Sequence, residues 1–244
     1  MAEEIPFSKQ MRLATREIHA ISDALVNAKL AFAMSDNSVW AEGLLMFYEV
    51  FRYLEQAMVR LKDTPIAEFQ LEGLMRTEAF QQDLAFYLGE DWGKEYSPKE
   101  SVSKYLLQLM EIERTNPILL MAYIYHLYMG LLSGGQILSK KRAFTKKFIL
   151  FGSQETGGDA VTDFSPHSIA SLKRQIREKT DNIARTLDDS IRQQLLEESK
   201  RVFILNNAMV RTVKNTNAVL LRKAILVLAA IVLLLSLLWY FYRT

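Results

Sequence analysis

Apolar residues along this chain recur at intervals of three and four, the spacing that keeps them on one side of an α-helix. Phe7, Met11, Ala14, Ile18, Ile21 and Leu25 make the first such stripe. A second helix is expected from a cap within Ser35 to Ser38, through Trp40, Leu44, Phe47, Phe51 and Leu54, to about Leu61. Thr64-Pro65 ends it. A third covers Ala67 to Leu88, with Gly73 disturbing its middle, and Gly89 to Tyr96 reads as a loop. Ser97-Pro98-Lys99-Glu100 supplies a cap, a proline suited to the first helical position and a capping-box glutamate for a helix running to Glu113. Asn116-Pro117 opens the next helix in the same way, and the pattern continues to about Phe148. After a polar, glycine-containing loop from Phe151 to Ser165, helical spacing resumes over Pro166 to Leu187 and Ser190 to Thr216. No segment alternates as a half-buried strand does. The expected class is all-α, with seven or eight helices in one domain spanning 1–217.

The helix opened by Pro117 carries the most unusual stretch, Gly130-Leu131-Leu132-Ser133-Gly134-Gly135-Gln136. Glycine in a helix interior is disfavoured by about 1 kcal/mol against alanine, so three within six residues imply a need that glycine meets. A bend is one such need. A backbone face without Cβ, against which a large flat ligand can lie, is another. A loop between two shorter helices is the plain alternative.

Composition changes the picture chiefly at the end of the chain. Ala224 to Tyr242 is an apolar run of 19 residues broken by one serine, and at helical rise it reaches about 28 Å, the depth of a bilayer's hydrocarbon. Trp239, Tyr240 and Tyr242 gather at its far end, as interfacial aromatic residues do. Residues 218–223 end in Arg222 and Lys223 and form a basic linker, and Met1 to Phe7 lacks the apolar core of a signal peptide. The expectation is a tail anchor at 224–242, a lipid bilayer as partner and a domain facing the cytosol. A net charge of +2 is too balanced to indicate nucleic acid. With no cysteine, disulfides, thiolate-bound zinc, iron–sulfur clusters and thiolate-ligated heme are excluded. Metal chemistry must rest on His19, His126, His167 or carboxylates.

One position round from the first apolar stripe stand Arg12, Arg16, His19 and Asp23, spaced four, three and four. A solvated helix face carries such mixtures too. Yet His19 can offer an imidazole nitrogen to a metal, with Asp23 one turn on to accept its other N–H. Arg12 and Arg16 can bind carboxylates. A planar metal ligand with two acid tails fits the stripe.

Ala14-Thr15-Arg16-Glu17-Ile18-His19, followed by Gly130-Leu131-Leu132-Ser133-Gly134-Gly135-Gln136, resembles the heme oxygenase family. Gln82-Asp83-Leu84-Ala85-Phe86-Tyr87, Glu113-Arg114-Thr115 and Glu197-Glu198-Ser199-Lys200 through Phe203-Ile204-Leu205-Asn206 extend the likeness in order across the domain. The apolar tail is similar to that of the microsomal members. The resemblance implies that heme b, both substrate and cofactor, has His19 as its axial iron ligand and Asp23 behind it, where the family more usually has glutamate. It places Arg12, Arg16 and Tyr125 at the propionates, with Lys173 and Arg177 from a later helix, Arg174 being an alternative. It puts Gly130, Ser133, Gly134 and Gly135 on the distal helix and Phe203 in the pocket wall. The implied reaction opens heme to biliverdin, carbon monoxide and ferrous iron, using O2. Lacking a flavin-binding glycine-rich unit, the chain would receive electrons from NADPH–cytochrome P450 reductase. Biliverdin reductase is a further implied partner, and the endoplasmic reticulum membrane the implied location.

A second departure from the family bears on the chemistry. Leu131 stands where the family's Gly-Asp-Leu-Ser-Gly-Gly has an aspartate that supports proton delivery through water. Neither Asp23 nor Glu113 is placed in sequence to substitute, and His126, four residues before Gly130, reads as a structural or surface histidine. The expected consequence is slower ring opening, looser choice of meso carbon, or peroxide leakage. A heme sensor or buffer of the same fold is the alternative that Leu131 supports. A tail-anchored helical interaction protein is a third reading, which the glycines and the His19 stripe do not explain.

Overall fold

A computed structural model describes residues 5–30, 36–94, 96–149 and 157–213, with isolated positions between 221 and 243. For 27–30 and 145–149 it describes the helix but not the side chains. The expected anchor at 224–242 and linker at 218–223 lie largely outside these residues.

The described residues contain helices and no strand. The helices are α1 (Phe7–Ala14), α2 (Arg16–Leu30), α3 (Asn37–Arg60), α4 (Thr77–Leu88), α5 (Glu100–Thr115), α6 (Leu120–Gly130), α7 (Gln136–Ile149), α8 (Ile169–Ala184) and α9 (Asp189–Arg211). The described residues exceed the expected seven or eight because two expected helices are divided. Thr15 divides the first: its Oγ1 donates to the Met11 carbonyl at 2.9 Å, and its φ of −102° and ψ of 1° interrupt the helix. The amide of His19 still reaches the Thr15 carbonyl at 2.8 Å, so α2 follows α1 closely.

Two starts are also corrected. The expected helix from Ala67 is a 3₁₀ turn, Pro65–Phe69, followed by irregular chain to Arg76. Gly73 causes the gap: its φ is +76°, and a Cβ there would sit 2.1 Å from the ring of His167. Glu55 of α3 then organises the start of α4, accepting from the amides of Arg76 at 2.5 Å and Thr77 at 3.0 Å. Helix α5 begins at Glu100, two residues later than the Ser97 cap implies. Lys99 is at its N-cap with no side-chain capping bond, and Glu100 pairs with Lys104 at 2.6 Å instead of reaching back. By contrast α3 starts within the expected window, with Asp36 accepting from the Ser38 amide at 2.9 Å.

Helix α6 is the centre of the molecule. Leu120 to Tyr125, Leu127 and Tyr128 are all buried, so it is apolar on every side, as a fully enclosed helix must be. The stretch Pro117–Phe144 is long and apolar enough to cross a membrane, but most of it lies inside this core. Helix α9 packs against α6, α2, α1 and α5, and α8 packs against α1 and α6. Buried tyrosines from α6 find carboxylates: Tyr123 donates to Glu198 at 2.5 Å and Tyr128 to Glu55 at 2.7 Å. Asp83 accepts from the amides of Ala160 and Val161 at 2.8 and 2.9 Å, and Glu113 accepts from Tyr53 and Arg60. These sequence motifs hold the fold.

Candidate functional site

The glycine stretch is not a loop. Leu131–Gly135 forms one π-helical turn between α6 and α7, and its flanks stay helical, with φ/ψ of −63°/−48° at Gly130 and −62°/−40° at Gln136. None of the three glycines has positive φ, so backbone freedom does not explain them. Space does. A Cβ on Gly130 or Gly134 would meet nothing within 4 Å, whereas one on Gly135 would fall 2.9 Å from Leu131 Cδ1. Leu131 is partly buried against the core and fills the side vacated by Gly135. Gly130 and Gly134 are exposed and present bare backbone to open space, and Ser133 between them is half-buried.

On α2, His19 Nδ1 lies 3.0 Å from Asp23 Oδ2, with side-chain exposures of 54% and 65%. That bond fixes the ring and leaves Nε2 as the nitrogen able to bind a metal. The His19 ring lies 5.3 Å from that of Phe203 on α9, and Phe203 lies 5.1 Å from His126 on α6. Phe203 thus stands between the rings of His19 and His126, and the bare backbone of Gly130 follows one turn after His126 on α6. Two shallow hollows elsewhere, about 560 Å³ beside Phe86 and Trp92 and about 280 Å³ beside Tyr53 and Arg60, do not reach His19.

Arg12, Tyr125, Lys173 and Arg177 come together at one end. Burial pushes the Tyr125 hydroxyl up, and the nearby guanidiniums of Arg177 and Arg12 oppose the rise. Burial, then Arg177, lowers the Lys173 ammonium. Arg174 points elsewhere, 3.7 Å from Glu178 and exposed. Arg16 is exposed one turn before His19. Tyr125 donates to the Ser8 carbonyl at 3.1 Å, while the Ser8 amide and hydroxyl donate to Asp181 at 2.7 and 3.0 Å. This clamp joins α1, α6 and α8 under the basic cluster, and no spacing in the sequence signals it.

His126 is neither a surface residue nor a satisfied structural one. Its Nε2 is shielded from solvent with no hydrogen-bond partner among the described residues, and Asn206 Oδ1 on α9 is likewise unpartnered. Burial, aided by the charge of His19, lowers the His126 pKa to about 3. Its place four residues before Gly130, on the same helix side, was the available signal. His167 covers Gly73, away from this cluster. Glu113 is engaged by Arg60 and Tyr53.

The sequence model of the heme oxygenase family matches residues 5–212, nearly the whole described domain. The chain belongs to the heme oxygenase family. It is 30% identical to human heme oxygenase 1 over 208 residues, covering 82% of this chain and 68% of that protein. The crystal structure of heme oxygenase 2 from Chlamydomonas reinhardtii, solved without heme, is 30% identical, with a TM-score of 0.76 over 86% of this chain and 98% of that one. Heme oxygenase-1 from the cyanobacterium Synechocystis, in complex with heme, shares the fold at 23% identity, with a TM-score of 0.79 over 93% of this chain and all of that one. Within the family, the open backbone at Gly130 and Gly134 and the donor set of His19, Arg12 and Arg177 suit a flat, iron-containing dicarboxylate.

Proposed function

We propose that this chain binds heme as its substrate between α2 and the π turn and opens the ring oxidatively to biliverdin, carbon monoxide and ferrous iron. The observation that carries this is His19, oriented by Asp23 and linked through Phe203 to His126, which stands one turn before the bare backbone of Gly130. Bound heme supplies the redox-active iron and the carbon that is oxidised. The protein's part is to hold and orient. Asp23 accepts from His19 Nδ1, which selects the tautomer with a free Nε2 lone pair. Arg12, Arg177 and Lys173 hold the carboxylates and set the ring's rotation. Gly130 and Gly134 let the macrocycle lie on the main chain, excluding water from that side. The Leu131 side chain donates and accepts nothing.

O2 and electrons complete the reaction, the electrons coming from NADPH–cytochrome P450 reductase, and biliverdin reductase suits the product. We also propose anchoring in the endoplasmic reticulum membrane through 224–242. The large apolar side chains described there, from Ile225 and Leu228 to Trp239 and Tyr242, are exposed, as suits contact with lipid rather than water.

The full chain in detergent, loaded with hemin and given NADPH, P450 reductase and catalase, tests the activity. Decay of the Soret band with release of carbon monoxide and biliverdin is expected. Heme that is bound and reduced but survives would instead support a sensor or buffer, the reading Leu131 favours. Absence of a histidine-type Soret band would exclude both.

A further inference from the structure

Four side-chain polar atoms among the described residues are buried without a hydrogen-bond partner: Trp40 Nε1, Tyr105 Oη, His126 Nε2 and Asn206 Oδ1. Leaving one such atom unpaired costs about 1–3 kcal/mol, so each calls for an occupant or a reason. The first two lie apart from the His19 face: Trp40 is stacked under Arg142 at the start of α3, and Tyr105 packs against Tyr123. The other two lie on helices that pack together, α6 and α9. Phe203 and Asn206 are three residues apart on α9 and so lie on one side of it. The Phe203 ring stands 5.1 Å from His126 on α6 and 5.3 Å from His19 on α2, and α9 packs against both helices.

Two orphan atoms on adjoining helices, one an amide oxygen and one an imidazole nitrogen, are complementary. The oxygen accepts, and a neutral ring donates from one nitrogen. Buried waters occupy such places and make about three hydrogen bonds each. A water held by these two atoms has a further bond to give toward the side of α6 that carries Gly130. We propose that His126 and Asn206 together hold one ordered water between α6 and α9, and that it supplies the hydrogen bonding that Leu131 does not. The chemical role rests on the heme reading above; the pairing of the two side chains does not. Position 131 is apolar, and five residues earlier, before the π turn, stands a histidine with an unused, shielded nitrogen. The polar function has moved along the helix.

A double-mutant cycle separates the two parts. His126→Leu, Asn206→Leu and the double variant are made in the full chain and first unfolded without heme. Two side chains that share a water are coupled, so the second substitution is expected to cost less than half of what it costs alone. Strictly additive effects would overturn the pairing, and coupling in a protein that bound no heme would keep the pairing while removing its proposed use. The same set is then loaded with ferrous heme and its O2 dissociation rate measured. A rise of about tenfold is expected in either single variant, the size a lost hydrogen bond allows, with little more in the double. His126→Gln, which keeps a hydrogen-bonding group of similar reach, is expected to retain the slow rate. An unchanged rate in all three leucine variants would refute a role at the heme.

Discussion

Leu131 places an isobutyl group against Gly135, so this departure from the family motif is accommodated sterically within the π turn. Its effect belongs to chemistry. Leu131→Asp is expected to raise the biliverdin formed per NADPH consumed, with hemin affinity unchanged; no gain would show that the protein relays protons by another route, with the water at His126 the first candidate. His19→Ala removes the only imidazole whose position is set by a carboxylate among the described residues. It is expected to abolish the histidine-type Soret band, and added imidazole to restore it. At this scale the sequence was informative where spacing carries meaning. The four-residue step from His19 to Asp23 shows as a 3.0 Å contact. It was silent where a residue's meaning comes from a distant helix. Nothing near His126 in the chain says that Phe203 will close over it, or that Asp181 will hold Ser8.

Helix starts and interruptions were legible to the degree that local chemistry decides them. Asp36 caps α3 because its carboxylate meets amides two and three residues ahead, a relation written in the sequence. The start of α4 is set by Glu55, some twenty residues upstream, and could not be read locally. Glu55→Ala strands those amides and the Tyr128 hydroxyl, and is expected to lower stability by about 1–3 kcal/mol in urea unfolding. The glycines make a sharper test. Gly130→Ala and Gly134→Ala place a methyl group in open space and gain helix propensity, so the heme-free protein is expected to be stabilised by up to ~1 kcal/mol each. Hemin affinity is expected to fall, since the methyl group then occupies the ligand's side. A loss of stability at Gly134 without change in affinity would mean that this backbone face serves packing.

At the scale of the whole molecule, acid is expected to weaken the heme-free fold. In the unfolded chain His126 takes a proton near its ordinary 6.5, in the folded one only near 3. The unfolded state therefore binds that proton first, and stability falls as pH drops from about 6.5, by up to ~1.4 kcal/mol per unit. Glu113, held below 4.5 by Arg60, adds a loss at lower pH, while Asp83, raised by burial, partly offsets both. Melting temperatures between pH 7 and 5 should fall for the native chain and stay flatter for His126→Leu. The π turn bears on this same architecture. It adds one residue to the helix's count, and one residue is about 100° of screw rotation. Everything after Gly135 is thus out of phase with α6. In that phase Gln136 donates to the Thr162 carbonyl at 2.6 Å, and Arg142 reaches Asn37 at 2.6 Å while lying over Trp40. Removing one residue from 131–135 would give a more regular helix and turn both anchors away from their partners. The irregularity that bares the backbone toward the ligand is also what aims α7 at its place in the fold.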